Sequence, residues 1–384
     1  MRYAPLFALC VVALSACALV ADGGEPANSQ GQPAPAIVDD RELLVLTTEP
    51  PGPLTAQVQQ LGYVVTRIDQ LDALQEILIY LRIPAGLTIP DAIVEVEALQ
   101  PGVTAGANHA YRVQALPGGQ DFANEIIGWP AAGCPAHRDI GLIDAGVMPN
   151  HPALEAGKIV QSVFHGSEAP PSTDHGTLMA DLLIGEGRLT EAKLYSANVV
   201  DPVRATGDIA GVDGILRAVD WLKSQGVDLV NVSLAGPFNK LLNRALGGAA
   251  ADGMVLIAAA GNLGPDAPPQ YPAAFPFVLA VTAVDRNLAV YRLAVQGDHI
   301  DLAAPGVDII VKSAGKLRVL SGTSAAAPYV TAMVAADEDL VWPTSVDIVR
   351  RQLERQATDL GPQGRDRTFG SGLIRAMNAC NGLG

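Results

Sequence analysis

The chain has 384 residues, 49% of them hydrophobic, which is enough for one large domain with a sizeable core plus a smaller one. Its formal net charge is −15, and the first lysine is Lys158. This balance excludes nucleic acid and anionic membrane surfaces as partners, because both need clustered Lys and Arg.

In chain order, Met1-Arg2 followed by an apolar run from Tyr3 to Ala16 reads as an export signal (residues 1–16), since about 14 residues are too few to span a ~30 Å bilayer as a helix. The end of the run, Leu14-Ser15-Ala16-Cys17, resembles the lipobox of bacterial lipoproteins. That resemblance implies cleavage before Cys17, lipid on Cys17, and a membrane-tethered lipoprotein facing the periplasm or cell exterior. An ordinary cleavage site with an incidental cysteine is the alternative. The segment from Ala18 to Pro35, rich in Gly, Pro, Ala, Asn, Ser and Gln, reads as a flexible tether within residues 17–40.

Residues 41–113 predict a small α+β domain. Strands are expected at Glu42 to Thr47, Tyr63 to Ile68, Leu74 to Ile83 and Asn108 to Val113, with helices at Pro53 to Leu61 and Thr88 to Leu99. The order βαββαβ is that of a ferredoxin-like half-sandwich, one sheet with both helices on one face. A sheet of this size with one bare face is marginal alone, so the domain is expected to dock on a larger one; an independent binding module is the other reading. Residues 114–133, with Pro117-Gly118-Gly119, read as a linker.

From residue 134 to 384 the chain alternates apolar runs and helical patterns. Asp139 to Ile143, Lys193 to Val199, Leu229 to Leu234, Val255 to Ala260 and Val278 to Val284 are near-continuously apolar, as buried parallel strands are. Helices are expected at Gly211 to Gln225, Asn239 to Ala251 and Ser345 to Leu360. The pattern predicts an open, mostly parallel α/β sheet with helices on both faces, and in such sheets function sits at the carboxyl ends of strands.

Four residues at such positions need explaining. Ser324 follows a Gly-Thr turn and opens an Ala-rich run, Leu320 to Ala336, that reads as a buried helix whose N-terminal N–H groups favour developing negative charge. Taken alone, the stretch is equally a well-capped core helix. Asp144 ends a buried strand, where a carboxylate must find a partner. His175, in Asp174-His175-Gly176-Thr177, begins a small-residue helix. A serine hydroxyl needs a base, and an imidazole base needs a carboxylate to fix its tautomer. Asn262 ends another strand, where its amide can donate to an oxyanion. Singly, each also reads as a capping, packing or turn residue.

The segments IGLIDAGV around Asp144, DHGTLMA around His175, VSLAG at Val232 to Gly236, AAAGN ending at Asn262, LAAPGVDI at Leu302 to Ile309 and LSGTSAAAP around Ser324 together resemble a subtilisin-like serine protease, a subtilase, from about Arg138 to the Gly370-Ser371-Gly372 turn. The order Asp, His, Ser is that of subtilisin. The resemblance implies peptide-bond hydrolysis through an acyl-enzyme, with Ser324 as nucleophile, His175 as base, Asp144 orienting it, and Asn262 in the oxyanion hole. It implies substrate strands pairing along Ser233, Leu234, Ala235 and Gly236, with Ala259, Ala260 and Gly261 beside the substrate side chain. The small domain stands where that family carries a propeptide that acts as chaperone and inhibitor, so a self-processed precursor is expected. A lipid-tethered binding protein on the same fold, without turnover, is the alternative.

The chain departs from the family pattern at Ala325, Ala235 and Asp181, in place of a usual methionine and two glycines. Asp181, about one and a half turns beyond His175, is a carboxylate that would raise the imidazole pKa if it lay close. No organic cofactor is expected. The family allows a structural calcium, but no acidic loop has ligand spacing. Cys134 and Cys380 are the cysteines left once the signal and Cys17 are set aside, and export makes a disulfide between them the expectation, with two free thiols as the alternative.

Overall fold

The computed structural model describes residues 37–113, 122–155, 157–168, 172–202, 209–313, 316–340 and 342–376. From the amino end, β1 (Glu42–Thr47), α1 (Pro51–Gln60), β2 (Val64–Leu71), β3 (Glu76–Arg82), α2 (Ile89–Leu99) and β4 (Thr104–Ala107) build a small α+β layer. Its sheet runs β2-β3-β1-β4 with all pairs antiparallel, the ferredoxin-like order. Strand β1 is continuously apolar because both of its faces are covered. Leu43 and Val45 pack with Leu54, Val58, Ala92 and Val96 of α1 and α2, while Leu44 and Leu46, one residue out of phase, face the other way into a second core.

The last strand of the small sheet lies before the segment expected at 108–113, and the strand within that segment belongs to a different sheet. β4 closes the small sheet, and β5 (Ala110–Val113) leaves it for another sheet. Then follow α3 (Ala123–Ile127), β6 (Cys134–Pro135), β7 (Ile140–Asp144), α4 (Pro152–Glu155), β8 (Ile159–Val163), α5 (Asp174–Ile184), β9 (Leu189–Thr190), β10 (Leu194–Asn198), β11 (Val200–Asp201), β12 (Ile209–Gly211) and α6 (Val212–Ser224). The remainder comprises β13 (Leu229–Val232), β14 (Leu234–Ala235), α7 (Lys240–Ala251), β15 (Val255–Ala259), β16 (Val278–Val284), β17 (Leu302–Pro305), the hairpin β18 (Ile309–Ser313) and β19 (Lys316–Leu320), α8 (Thr323–Ala336) and α9 (Val346–Gln356).

The main sheet has seven strands in the order β17-β16-β15-β13-β7-β10-β8, all parallel. The fold is α/β, as the alternation of apolar runs and helices predicted. Leu142, Leu229 and Ile257 pack on one face with Met179 of α5 and Ala326, Val330 and Met333 of α8. Ile143, Val230 and Leu256 pack on the other with Leu216 and Val219 of α6 and Leu242 of α7. That second core also takes in Leu44, Leu46, Leu71 and Leu78, so α6 and α7 cover the face that the small sheet leaves bare.

Polar contacts ring this junction. Arg244 on α7 reaches Glu76 with two parallel bonds, Nε–Oε1 2.7 Å and Nη2–Oε2 2.9 Å, and its Nη1 donates to the Gly102 carbonyl and Thr104 Oγ1. Arg217 on α6 meets Tyr80 and Asp69, and Lys240 pairs with Glu97. Asn239, the N-cap of α7, donates from Nδ2 to the Ala107 carbonyl at 2.9 Å. Among the described residues no helix is long and apolar enough to cross a membrane.

Candidate active site

Three elements meet at the carboxyl edge of the main sheet. Asp144 is the last residue of β7, His175 the second of α5 and Ser324 the second of α8. His175 Nδ1 lies 2.7 Å from Asp144 Oδ1, and His175 Nε2 lies 3.3 Å from Ser324 Oγ. All three side chains are buried, and Asp144 Oδ1 also accepts from the Ala145 N–H at 2.6 Å. A carboxylate on Nδ1 leaves Nε2 as the nitrogen that can take the serine proton.

Helix α8 is buried along its whole length, which its run of alanines permits. Pro328 has no N–H to offer the Ser324 carbonyl four residues back. Ser233 Oγ–H donates to that carbonyl instead, at 3.4 Å. Ser233 is held in turn by Asn231 Nδ2 at 2.8 Å, and Asn231 Oδ1 accepts from Thr331 Oγ1 at 3.0 Å. A buried polar chain therefore ties the strand beside the site to the serine helix.

Asn262 sits beside the start of the same helix. Its Oδ1 accepts from the Thr323 N–H at 3.1 Å and from Thr323 Oγ1 at 3.0 Å. Two donors on one atom identify that atom as the oxygen, so the amide Nδ2 is the end left to donate. Thr323 Oγ1 also accepts from the Gly261 N–H at 3.0 Å. Gly261 has φ +103°, and a Cβ there would stand 2.7 Å from Gln270 Cγ, which is why this bend requires glycine. Ala259 and Ala260 precede it, fully buried.

Alongside lies a strand of the chain itself. β5 pairs antiparallel with β14, Val113 opposite Leu234 and Arg112 opposite Ala235, and on its other side with β12, Arg112 opposite Ile209. Tyr111 is fully buried, its ring pressed on Gly236, where a Cβ would come within 2.7 Å, and its hydroxyl donates to the Pro237 carbonyl at 3.0 Å. Burial pushes that phenol well above its ordinary pKa, so it remains a neutral donor. Of residues 233–236, Leu234 and Ala235 pair with β5, the strand that follows the N-terminal layer, while Gly236 bridges Tyr271. The second wall, β12, escaped sequence reading because three residues carry no periodicity.

Asp181 has a partner of its own. Its Oδ1 is 2.8 Å from His151 Nε2, and both side chains are buried. The helix period turns residue 181 away from residue 175; the partner lay 30 residues upstream with no sequence signal. Cys17 and Cys380 lie outside the described residues, while Cys134 is buried at the start of β6. Among the described residues no group of three or more His, Cys, Asp or Glu side chains is placed to hold a metal.

A parallel seven-stranded sheet carrying Asp, His and Ser in that chain order defines a serine-nucleophile class of site. The family model "Subtilase family" matches residues 139–372, and the chain belongs to that family. It is 30% identical over 257 residues to the minor extracellular protease Epr of Bacillus subtilis, covering 64% of this chain and 39% of that one. It is 31% identical to subtilisin DY of Bacillus licheniformis, covering 64% of this chain and 91% of that one. Against subtilisin E of Bacillus subtilis the match covers 65% of the relative. Among solved structures, fervidolysin from Fervidobacterium pennivorans, a keratinolytic enzyme related to subtilisin, shares the fold with a TM-score of 0.73 at 21% identity, over 92% of this chain and 62% of that one.

Proposed function

We propose that this chain is an exported serine endopeptidase, made as a precursor whose N-terminal domain, residues 41–113, occupies its own substrate cleft. The observation that carries the reading is the line Asp144–His175–Ser324, with a peptide strand, β5, laid along β14 beside it. In this reading His175 Nε2 takes the Ser324 proton as Oγ attacks a peptide carbonyl, Asp144 stabilises the imidazolium, and the tetrahedral oxyanion is met by Asn262 Nδ2 and the Ser324 N–H at the head of α8. The proton then passes to the leaving amine, and water repeats the sequence on the acyl-enzyme. No organic cofactor enters these steps.

Substrates are peptides or proteins bound as a strand along Ser233, Leu234, Ala235 and Gly236, with Ala259, Ala260 and Gly261 flanking a side chain, by the strand-addition mode that β5 already uses. Strand β5 ends at Val113, where the linker 114–133 begins, and we place the processing bond in that linker. Residues 1–16 are read as an export signal and Cys17 as the lipidated residue of a tether, 17–40. Cys134 and Cys380 are read as a disulfide of the catalytic domain, 134–384. Its support is that Cys134 is not a free thiol and that the chain returns to the segment preceding it, Ala376 N–H donating to the Ile127 carbonyl at 2.7 Å. An intact Asp, His and Ser set weighs against a binding role without turnover.

Fluorophosphonate labelling of the purified protein tests the reading, with Ser324→Ala as the control. The expected result is one label per wild-type chain and none on the variant, together with an unprocessed variant by intact mass. An unlabelled, folded wild-type chain whose cleft has been freed of the N-terminal domain would overturn it.

A further inference from the structure

The loop that follows Asp144 runs along α5, the helix that begins with His175, and is tied to the helix region at three levels. Gly146 N–H donates to the Ser172 carbonyl at 2.9 Å, Met148 N–H to Thr177 Oγ1 at 2.9 Å, and His151 meets Asp181 at 2.8 Å. Between the first two there is no spare room, since a Cβ on Gly176 would stand 2.0 Å from the Ala145 carbonyl oxygen. The third tie is the one formed between two side chains, and its members are 5% and 8% exposed.

The hydrogen-bond pattern fixes the role of the ring. Ala153 N–H donates to His151 Nδ1 at 3.2 Å, so Nδ1 carries no proton and Nε2–H is the donor to Asp181 Oδ1. Both ring nitrogens are thereby used, one toward the loop's own continuation into α4 and one toward α5. The imidazole is a strut between the two segments that carry Asp144 and His175. The 2.7 Å bond between those two groups requires β7 and α5 to keep a fixed separation, and a buried, directional side-chain bond supplies that where backbone packing ends.

We propose that His151 and Asp181 are positioning residues that clamp the Asp144 loop to the His175 helix. This rests on the serine-hydrolase reading of the site. The two residues touch no reacting atom; they act through the Asp144–His175 bond.

The test uses the full chain with its cleft freed, rates being normalised to sites titrated with a fluorophosphonate. Asp181→Ala, a change suited to a helix interior, removes the acceptor. It should lower kcat on a peptide substrate about 10-fold with KM within about 2-fold, and slow fluorophosphonate labelling by the same factor. Asp181→Asn keeps an oxygen for the same N–H and should stay within about 3-fold of the wild type. Should Asp181→Ala not fold, His151→Phe, which keeps the ring and loses the donor, is read in its place with the same expectation. Wild-type kcat per titrated site in the bond-breaking variant would overturn the clamp, as would an Asn variant as slow as the Ala one. A wild-type chain that never labels would instead sink the hydrolase reading, so the two failures are distinguishable.

Discussion

Asn262 shows how one side chain is aimed by its neighbours. Thr323 offers two donors to Oδ1, so the amide is turned before any substrate arrives, and in the proposed mechanism no reorganisation is left to oppose the developing charge. Asn262→Ala should lower kcat about 10²- to 10³-fold with a modest change in KM, a range that subtilisins themselves set. Asn262→Asp keeps the acceptor for Thr323 but brings a negative charge to the oxyanion, so its turnover should be lower still while its melting temperature stays closer to wild type. Steady-state kinetics and thermal melts of both variants check this, and the reverse order of activity would count against the oxyanion role. Asp144, His175, Asn262 and Ser324 were legible because each sits in a local motif whose spacing is informative. His151 was not, because what identifies it is a contact with Asp181 across 30 residues of chain.

Elements with long periodic signals were read to within a residue or two: β16 at Val278–Val284, α6 at Val212–Ser224 and α7 at Lys240–Ala251. The errors fall where pairing depends on distant chain. β5 resembled a final strand of the small sheet, yet its partners β12 and β14 come from the other side of the junction. The cover for the small sheet was anticipated from its bare face, but not the fork of Arg244 on Glu76. That guanidinium is 23% exposed and its partner 12%, and it makes bidentate contact plus bonds to Gly102 and Thr104, so losing it leaves several partly buried acceptors unmet. Arg244→Ala in a Ser324→Ala background should speed amide exchange in β1 to β4 by at least about 10-fold, with the main sheet unaffected. Equal protection in both chains would mean that apolar contact alone holds the junction.

Across the whole molecule, acid should act first through histidine. Burial holds the imidazoles of His109, His165 and His299 below their ordinary value. The folded chain therefore binds fewer protons than the unfolded one below about pH 6.5. The stability these groups contribute is complete above that value and is lost as pH falls through their depressed folded values. Asp220, Asp228 and Asp337 work in the opposite sense: burial raises them, so their contribution is complete below about pH 3.9 and is lost as pH rises through the raised values. His109 sits where β4 turns into β5, and its Nδ1 accepts from Asn239 Nδ2 at 3.0 Å, a bond an imidazolium cannot accept. Thermal melts of the Ser324→Ala chain should fall between pH 7 and 5, and less so in His109→Gln, whose amide oxygen still accepts. A flat profile in both would remove histidine from the account.

In the precursor proposed above, whose linker is cut by its own site, the β5 strand also sets a clock. While the chain is continuous, its occupant of the cleft is intramolecular, present at an effective concentration on the order of millimolar whatever the protein concentration. Once the linker is cut, the same strand becomes a separate ligand that leaves with a first-order rate set by the whole junction, Arg244 and its neighbours included. Fresh enzyme should therefore show a lag before peptide hydrolysis. Dilution should leave the first appearance of activity unhurried and only make release more complete, and Gly236→Ala, whose Cβ would meet the Tyr111 ring at 2.7 Å, should shorten the lag.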